Sequence, residues 1–440
     1  MNTSARNSAA VRTLMLLSLT NCLSYVHRVL PAAAAPLLKA EFKLTDAELG
    51  LVTGFAFSLF YAIVGLPLAR LADQRSRRLL ISVSVAIWSA LTMLCGMAFS
   101  TLQFILCRFG VGAAESGATS AAYSIITDSF APKRRPFAFS LLLSGTMVGL
   151  MIGLALGGWV AARFGWRVSF LALGAPGLLL ALAVRLFVFE PPRGSSDLAA
   201  DAPRPLDAPV MTGFLPLLRN RPFAWMALSN AVGTFNIFVV TIWLPLFYQR
   251  THHLPLAIVS LVFGIAFGGG LLVGTLIGGA LGAVTARRDP LDLRLPIFSY
   301  MALPPIYWLL LWLPNPWVSL TLVLLAAVVY GLGNPTFAAA SQSVAAPDER
   351  AKALAVLVLG NSIIGYGLGS YAIGLLSDFL TPALGAAALR SALSFGQVFS
   401  ILGGLSLVMA AQAIRSERRR GLRLAPTPAP GISTSATSAR

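Results

Sequence analysis

The chain has 440 residues, of which 57% are hydrophobic and only 11% are charged. Soluble domains carry roughly 25% charged residues, so this composition excludes an ordinary soluble protein and predicts a polytopic membrane protein. The formal net charge of +17 would suggest a nucleic-acid partner in a soluble chain. Here the basic residues lie in short loops between apolar runs, where they indicate membrane topology, and we expect no nucleic-acid partner.

Apolar runs of roughly 18 residues or more predict twelve membrane-spanning helices. A segment rich in Pro, Asp, Ser and Ala separates the first six runs from the last six, and it is too polar to fold on its own. Six spans on either side of a linker are typical of a transporter built from two repeated halves around a site near the bilayer midplane. In chain order the predicted spans are 14–34, 50–71, 79–99, 102–126, 137–162, 168–189, 223–247, 258–284, 295–313, 317–342, 353–376 and 389–414.

This pattern predicts an all-α membrane protein with twelve transmembrane helices in two six-helix bundles. The loops after even-numbered spans hold clusters of Lys and Arg, so the positive-inside rule places both termini in the cytoplasm. We expect a monomeric, multi-pass protein of the inner (plasma) membrane. The predicted regions are an N-terminal bundle at 1–189, a cytoplasmic linker at 190–221, a C-terminal bundle at 222–415 and a disordered cytoplasmic tail at 416–440.

The fourth predicted span carries two charges of opposite sign, Arg108 and Glu115. Seven residues are two helical turns, so both side chains project from one helix face, about 10 Å apart along the axis. An ionised side chain inside a bilayer is costly unless it finds a partner or water, and intramembrane charges commonly mark transport pathways. We favour a functional role for both residues. A structural pair that locks span four to span one is the alternative.

The sequence gives no support for a metal site or a cofactor. Cys22, Cys95 and Cys107 lie in apolar runs without metal-ligand spacing, and the lack of a His/Asp/Glu cluster argues against an enzyme. The nucleotide-binding run GxxxxGK[ST] is absent from the sequence. A transporter with this sequence would therefore draw its energy from an ion or solute gradient.

The loop after span two, Ala69-Arg-Leu-Ala-Asp73-Gln-Arg-Ser-Arg77-Arg78, resembles the cytoplasmic signature GxLaDrxGRR of the major facilitator superfamily. The aspartate and the arginine pair match, whereas both glycines and the first basic position are replaced. The resemblance implies a cytoplasmic gate, in which Asp73 faces the start of span eleven and Arg77 or Arg78 reaches Asp128 at the end of span four. These contacts are expected to form only when the two bundles close on the cytoplasmic side.

Span four, Arg108-Phe-Gly-Val-Gly-Ala-Ala-Glu115, and the glycine-rich end of span eleven are similar to segments of the spinster-like branch of this superfamily. The resemblance implies the major facilitator fold and secondary transport. In span one that branch has an aspartate followed by arginine, a pair tied to proton coupling, and this chain has His27 and Arg28 instead. A histidine can exchange protons near neutral pH, but it cannot supply a negative charge to hold Arg28.

These residues give a hypothesis for the transport site. Glu115 is the expected proton site, because a low-dielectric cavity disfavours the charged carboxylate until it can load and release a proton. His27 is expected to shift the pH optimum. Arg28 and Arg108 would bind an anionic or zwitterionic solute with an apolar body, so the expected partners are that solute, protons and membrane lipids.

The identity of the solute stays open at this point. The spinster-like resemblance suggests export of a sphingoid or lysophospholipid-like solute, whereas uptake of an organic acid is the alternative for a bacterial relative. A non-transporting membrane receptor on the same fold is a third possibility, which a long folded appendage would have favoured.

Overall fold

The computed structural model contains helices and no strands over the residues it describes, which are 3–131, 134–192, 214–287, 289, 291–345 and 349–420. The helices of the N-terminal half are Thr3–Ala33 (α1), Ala35–Phe42 (α2), Asp46–Gly50 (α3), Ala56–Gln74 (α4), Arg77–Gly96 (α5), Thr101–Ser129 (α6), Arg135–Phe164 (α7) and Trp166–Phe187 (α8). A π-helical turn at Leu51–Phe55 joins α3 to α4 in one continuous helix.

The C-terminal half repeats this pattern of long helices. Its helices are Phe214–Arg219 (α9), Arg221–His252 (α10), Leu256–Ala286 (α11), Arg294–Trp312 (α12), Pro316–Val344 (α13), Arg350–Gly360 (α14), Gly369–Leu384 (α15), Ala388–Gly396 (α16) and Val398–Arg419 (α17). A second π-helical turn at Asn361–Leu368 joins α14 to α15.

Ten helical stretches of the described chain are long and apolar enough to cross a membrane. One of them, Lys352–Arg419, has 68 residues and bends at Gly385–Ala387, so it contains two spans. Helix α6 is not among the ten, although its 29 residues are sufficient, and it contains Arg108, Glu115 and Asp128. With α6 included and the long stretch divided, the helices match the twelve predicted spans.

Several spans begin where a polar side chain caps the first turn. Ser76, Ser100, Asn220 and Asn315 each accept a hydrogen bond from a backbone N–H of the helix that follows. Such caps satisfy N–H groups that the first turn of a helix leaves without a partner. The starts of α5, α6, α10 and α13 are therefore defined by the local sequence.

Within the N-terminal half, α1 packs on α7, α4 on α6 and α5 on α8, while in the C-terminal half α11 packs on α13 and α10 on α17. The α1–α7 contact is close because α7 carries glycines on that face. A Cβ at Gly149 would lie 2.1 Å from the main-chain oxygen of Cys22. Small residues of this kind allow helix backbones to approach closely inside a membrane.

The two halves meet along α7 and α11 and also where α3 packs on α15 and the two π-helical turns contact each other. Most of the predicted linker and the end of the predicted tail lie outside the described residues. Phe214–Arg219 of that linker is helical, and α17 continues to Arg419, four residues into the region predicted as a disordered tail.

Candidate transport site

Glu115 of α6 and Arg28 of α1 form a buried ion pair inside the N-terminal half. Oε1 of Glu115 accepts hydrogen bonds from Nε of Arg28 at 3.1 Å, from Nη2 of the same arginine and from Oγ of Ser24 at 2.7 Å. Oε2 of Glu115 is buried and has no hydrogen-bond partner in the described part of the chain. Glu115 thus supplies the negative charge that span one lacks, and one of its oxygens stays available.

A small cavity adjoins this ion pair. It lies between α1, α5, α6 and α7, and Glu115, Asn21 and Thr119 contribute polar side chains to its lining. Trp88 of α5 also lines the cavity, and its buried Nε1 has no acceptor among the described residues. The free space in this cavity is about that of one water molecule, so in this state the cavity is too small to hold an organic solute.

Three aromatic rings surround the guanidinium of Arg28. Its Cζ lies 4.6 Å from the ring centroid of Tyr25, 4.8 Å from that of Phe57 and 4.9 Å from that of Tyr61. A cation over an aromatic face gains about 0.5 to 2 kcal/mol, with the larger values in desolvated sites. These rings keep the guanidinium in place independently of Glu115.

Arg108 does not pair with Glu115, although both lie on α6. Its guanidinium is fully buried and points to the backbone of α1, with Nη1 3.4 Å from the main-chain oxygen of His27 and Nη2 3.4 Å from that of Arg28. Pro31 lies four residues after His27 inside α1 and has no N–H, so the helix itself cannot satisfy the carbonyl of His27. Arg108 therefore binds the turn of α1 that carries Arg28.

The imidazole of His27 is fully buried against α8. Its Nε2 lies 2.8 Å from the main-chain oxygen of Leu173, which makes Nε2 the donor, and Nδ1 has no partner among the described residues. The hydrogen bond of His27 is thus made to α8, and the structure does not bring the imidazole to the carboxylate of Glu115.

The predicted cytoplasmic gate residues form contacts inside one bundle. Arg77 of α5 forms an ion pair with Asp128 of α6, and its Nη2 donates to the main-chain oxygen of Pro191 at 2.5 Å. Oε1 of Glu190 accepts the main-chain N–H of Arg77 at 2.7 Å. All four residues belong to the N-terminal half and its exit, so these contacts lie within one half of the chain. Their dependence on closure of the cytoplasmic side stays a prediction.

Glu190 is the acceptor that holds the start of α5. Burial raises the pKa of its carboxyl group, but hydrogen bonds from the hydroxyl of Ser76 and from the main-chain N–H groups of Arg77 and Arg78, together with the charge of Arg77, hold the pKa below its ordinary value. The N–H of Arg78 is 3.4 Å from Oε2 of Glu190, and Nε of Arg78 is buried without a described partner. The side chain of Asp73 lies outside the described residues, so its predicted contact with span eleven stays a prediction.

A charged cluster that joins the two halves occurs at the opposite end of the bundle, which is the outer end in the predicted topology. Asp46 at the start of α3 accepts two hydrogen bonds from Arg250 of α10, at 2.6 and 2.8 Å. Asp46 also forms an ion pair with Lys39 and accepts a hydrogen bond from Oγ of Ser377 in α15 at 2.7 Å. Because Asp46 and Lys39 belong to the N-terminal half, and Arg250 and Ser377 to the other, the cluster closes this end.

Asp378 completes the same contact from the C-terminal half. Its two carboxylate oxygens accept the main-chain N–H groups of Asp46 at 2.9 Å and of Ala47 at 2.7 Å. A carboxylate is favoured there because the first N–H groups of a helix have no partner within the helix. The side chain of Asp46 therefore binds the end of span eleven, and the side chain of Asp378 at that end binds the start of α3.

Tyr366, in the π-helical turn of span eleven, connects the C-terminal half to the ion pair. Its hydroxyl lies 3.1 Å from the main-chain oxygen of Arg28 and 3.1 Å from that of Thr53. Thr53 lies in the π-helical turn of span two, and turns of this type leave carbonyl groups available and are frequent at functional sites. The sequence shows Tyr366 only as an aromatic residue in a glycine-rich span, which gives no sign of this contact.

Comparison with known proteins identifies relatives along most of the chain. The family model of the Major Facilitator Superfamily matches residues 17–370. An MFS-type efflux pump of Mycolicibacterium smegmatis is 32% identical over 86% of this chain and 87% of its own length. A sphingosine-1-phosphate transporter of Danio rerio is 25% identical over 92% of this chain and 84% of its own.

A solved structure has the same fold. It is that of a bacterial homolog to the human lysosomal transporter Spinster, in an inward-facing and occupied conformation, with a TM-score of 0.77 and 28% identity. The match covers 94% of this chain and 98% of that one. The two-bundle architecture is therefore shared over nearly the whole molecule.

Proposed function

The chain belongs to the Major Facilitator Superfamily and is similar to its spinster-like branch, and we propose that it is a proton-coupled secondary transporter of an anionic or zwitterionic, amphipathic organic solute. The protein would act by alternating access in the inner membrane, with both termini in the cytoplasm. The observation that carries this proposal is the Arg28–Glu115 pair, in which one carboxylate oxygen is saturated and the other is unpartnered beside a cavity.

The ion pair couples proton binding to anion binding. A proton that binds the carboxylate of Glu115 removes the charge that holds the guanidinium of Arg28. The guanidinium stays between its aromatic neighbours and can then pair with a carboxylate or phosphate of the solute, for which its planar set of donors is well suited. Deprotonated Glu115 competes with the solute for the same donors, so proton and anion binding strengthen each other.

A carrier must also keep its site closed to one side of the membrane while the site is open to the other, and the closed end of the bundle meets this requirement. The Asp46–Arg250 contact shuts one end of the bundle, and its loss would allow the halves to separate there. Rocking of the halves would expose the site alternately on the two sides of the membrane. Because proton and anion binding favour each other, both would cross together, and the imposed gradients would set the direction of net transport.

Glu115→Gln tests the proposal, because the amide keeps the shape of the carboxylic acid and cannot release a proton. Wild type and variant would be reconstituted in vesicles and supplied with radiolabelled hexanoate, gluconate, dodecyl phosphate or lauroyl lysophosphatidate. We expect the variant to lose accumulation driven by a proton gradient and to retain exchange of labelled for unlabelled solute. Glu417→Gln in the last turns of α17 is the control. Gradient-driven accumulation that persists in Glu115→Gln would refute the assigned coupling.

A further inference from the structure

A second, smaller cavity lies in the C-terminal half between α12 and α13, with space for about one hydroxyl-sized group. Ser299, Tyr300 and Pro296 line it from α12, and Tyr330, Asn334 and Phe337 line it from α13. The transport site described above makes no use of it.

The position of this cavity repeats that of the first one. The cavity beside Glu115 lies between the first, third and fourth spans of the N-terminal half, α1, α5 and α6. Helices α12 and α13 are the third and fourth spans of the C-terminal half. The ring of Tyr300 lies against α10, the first span of that half, where a Cβ at Gly233 would be 2.4 Å from the hydroxyl oxygen of Tyr300.

The two cavities differ in chemistry. The first holds the carboxylate of Glu115, whereas every polar group that lines the second is neutral: the phenols of Tyr300 and Tyr330, the hydroxyl of Ser299 and the amide of Asn334. The two phenol rings meet edge to face, with centroids 6.1 Å apart. Such groups both donate and accept hydrogen bonds, and they match hydroxyl groups better than ions.

The hydroxyl group of Ser299 lines the second cavity and lacks a hydrogen-bond partner in the described part of the chain. Its residue is 3% exposed, and its buried Oγ has no partner among the described residues. A buried hydroxyl in this condition is unfavourable, and a ligand hydroxyl would satisfy it. Gly333 lies directly against this hydroxyl. A Cβ at this position would lie 2.9 Å from Oγ of Ser299, so a larger residue would crowd it.

We propose that the second cavity binds an uncharged hydroxyl-bearing part of the same solute whose acidic group pairs with Arg28. This inference rests on the proposed function and narrows the substrate class to acids that also carry neutral hydroxyl groups. A short polyhydroxylated acid and a lysolipid with a free glycerol hydroxyl share that chemistry, and the probes below distinguish them.

Two pairs of acids test the proposal, each with and without hydroxyl groups. Gluconate is compared with hexanoate, and lauroyl lysophosphatidate with dodecyl phosphate. Binding of each acid to the full chain in detergent would be measured by titration calorimetry at mildly acidic pH, the condition in which the proposed function expects the strongest anion binding. The variants Ser299→Ala and Tyr330→Phe each remove one hydroxyl from the cavity. Ser343→Ala on the same helix is the control, because its hydroxyl bonds to the main-chain oxygen of Ala339 at 2.9 Å.

We expect wild type to prefer one hydroxyl-bearing acid over its partner. Each cavity variant should weaken that acid about three- to tenfold, the range for one neutral hydrogen bond, and leave the hydroxyl-free acid unchanged. A preference for gluconate would identify short polyhydroxylated acids as the class of solute. A preference for lysophosphatidate would identify lysolipids. Equal affinity within both pairs, or a preference that survives both variants, would overturn this proposal and leave Arg28-dependent anion binding intact. No binding of any of the four acids to wild type would overturn the proposed function as well.

Discussion

The hydroxyl of Tyr366 lies 3.1 Å from the main-chain oxygen of Arg28, so the C-terminal half holds the turn of α1 that carries the paired arginine. Arg108 donates to the same carbonyl from the N-terminal half. The position of Arg28 is thus fixed by both bundles in the state that is closed at the Asp46 end. A change at the ion pair can therefore be transmitted to the contact between the halves through one turn of helix.

Tyr366→Phe removes the hydroxyl and keeps the ring, which packs against Phe57 and Phe238. We expect the closed state at the Asp46 end to lose about 0.5 to 1.5 kcal/mol, the net contribution of a neutral hydrogen bond. Distances between spin labels at Phe99 and Phe379, two exposed positions on the two halves, would report the loss as a larger open population. Tyr371→Phe, in the same span, should leave the distances unchanged.

Asp46→Asn tests the charged contact at that end. The amide loses the charge that attracts Arg250 and Lys39, and the coupling between the halves should fall by roughly 1 to 3 kcal/mol. The same pair of spin labels should move apart more often than in wild type. Arg250→Gln should have a similar effect, and the double variant should add little to either single one. An additive double variant would mean that the two residues act separately.

The contrast between Arg28 and Arg108 gives a prediction that the sequence alone did not. Lys at position 28 keeps the charge but loses the planar donors, so affinity for an anionic solute should fall strongly. Lys at position 108 can reach only one of the two carbonyls of α1. Arg108→Lys should therefore mainly lower the free energy of unfolding, by roughly 1 to 3 kcal/mol for the carbonyl left unsatisfied. Thermal unfolding and anion binding, measured on both variants, separate these effects. A larger loss of affinity in Arg108→Lys than in Arg28→Lys would contradict the assignment.

The sequence predicted the spans and the identity of the buried charges, because hydropathy and charge are local properties. It did not predict which charges pair. Arg108 and Glu115 lie two turns apart on one helix face, yet Glu115 pairs with Arg28 and Arg108 binds the backbone of α1. Partner choice depends on how α1 crosses α6 and on the carbonyl that Pro31 leaves without a donor. That carbonyl can be identified from the sequence, but the side chain that satisfies it cannot.

The contacts of Asp46 and Asp378 were missed for a related reason. Both residues lie at predicted span ends, where acidic residues are ordinarily solvated. Their partners come from the other half of the chain, more than two hundred positions away for Arg250 and more than three hundred for Asp378. The pairing follows only when the two bundles are placed against each other.

The lowered pKa of Glu190 predicts that the stability of the N-terminal half depends on pH. The folded pKa of Glu190 lies below its ordinary value, so its contribution is fully present above the unfolded pKa of about 4.3 and is lost as pH falls below it toward the folded value. Glu190→Gln should therefore lower the unfolding temperature near neutral pH, and the difference from wild type should shrink below about pH 4.3. A difference that stays constant over this range would assign the effect of the mutation to packing.

The final prediction separates Glu115 from His27 by the pH dependence of anion binding. In wild type, affinity for an anion should rise as pH falls, because a proton on Glu115 releases Arg28. Glu115→Gln should remove this dependence and give high affinity already at neutral pH, since the amide leaves Arg28 without a charged competitor. His27→Ala should keep the wild-type dependence, because the imidazole donates to Leu173 and its buried Nδ1 has no acceptor for a second proton. Isothermal titration of the three proteins with one anion across the pH range gives the comparison. A shifted pH dependence in His27→Ala would restore the sequence-based hypothesis that His27 tunes coupling, and a dependence that persists in Glu115→Gln would place the proton on another group.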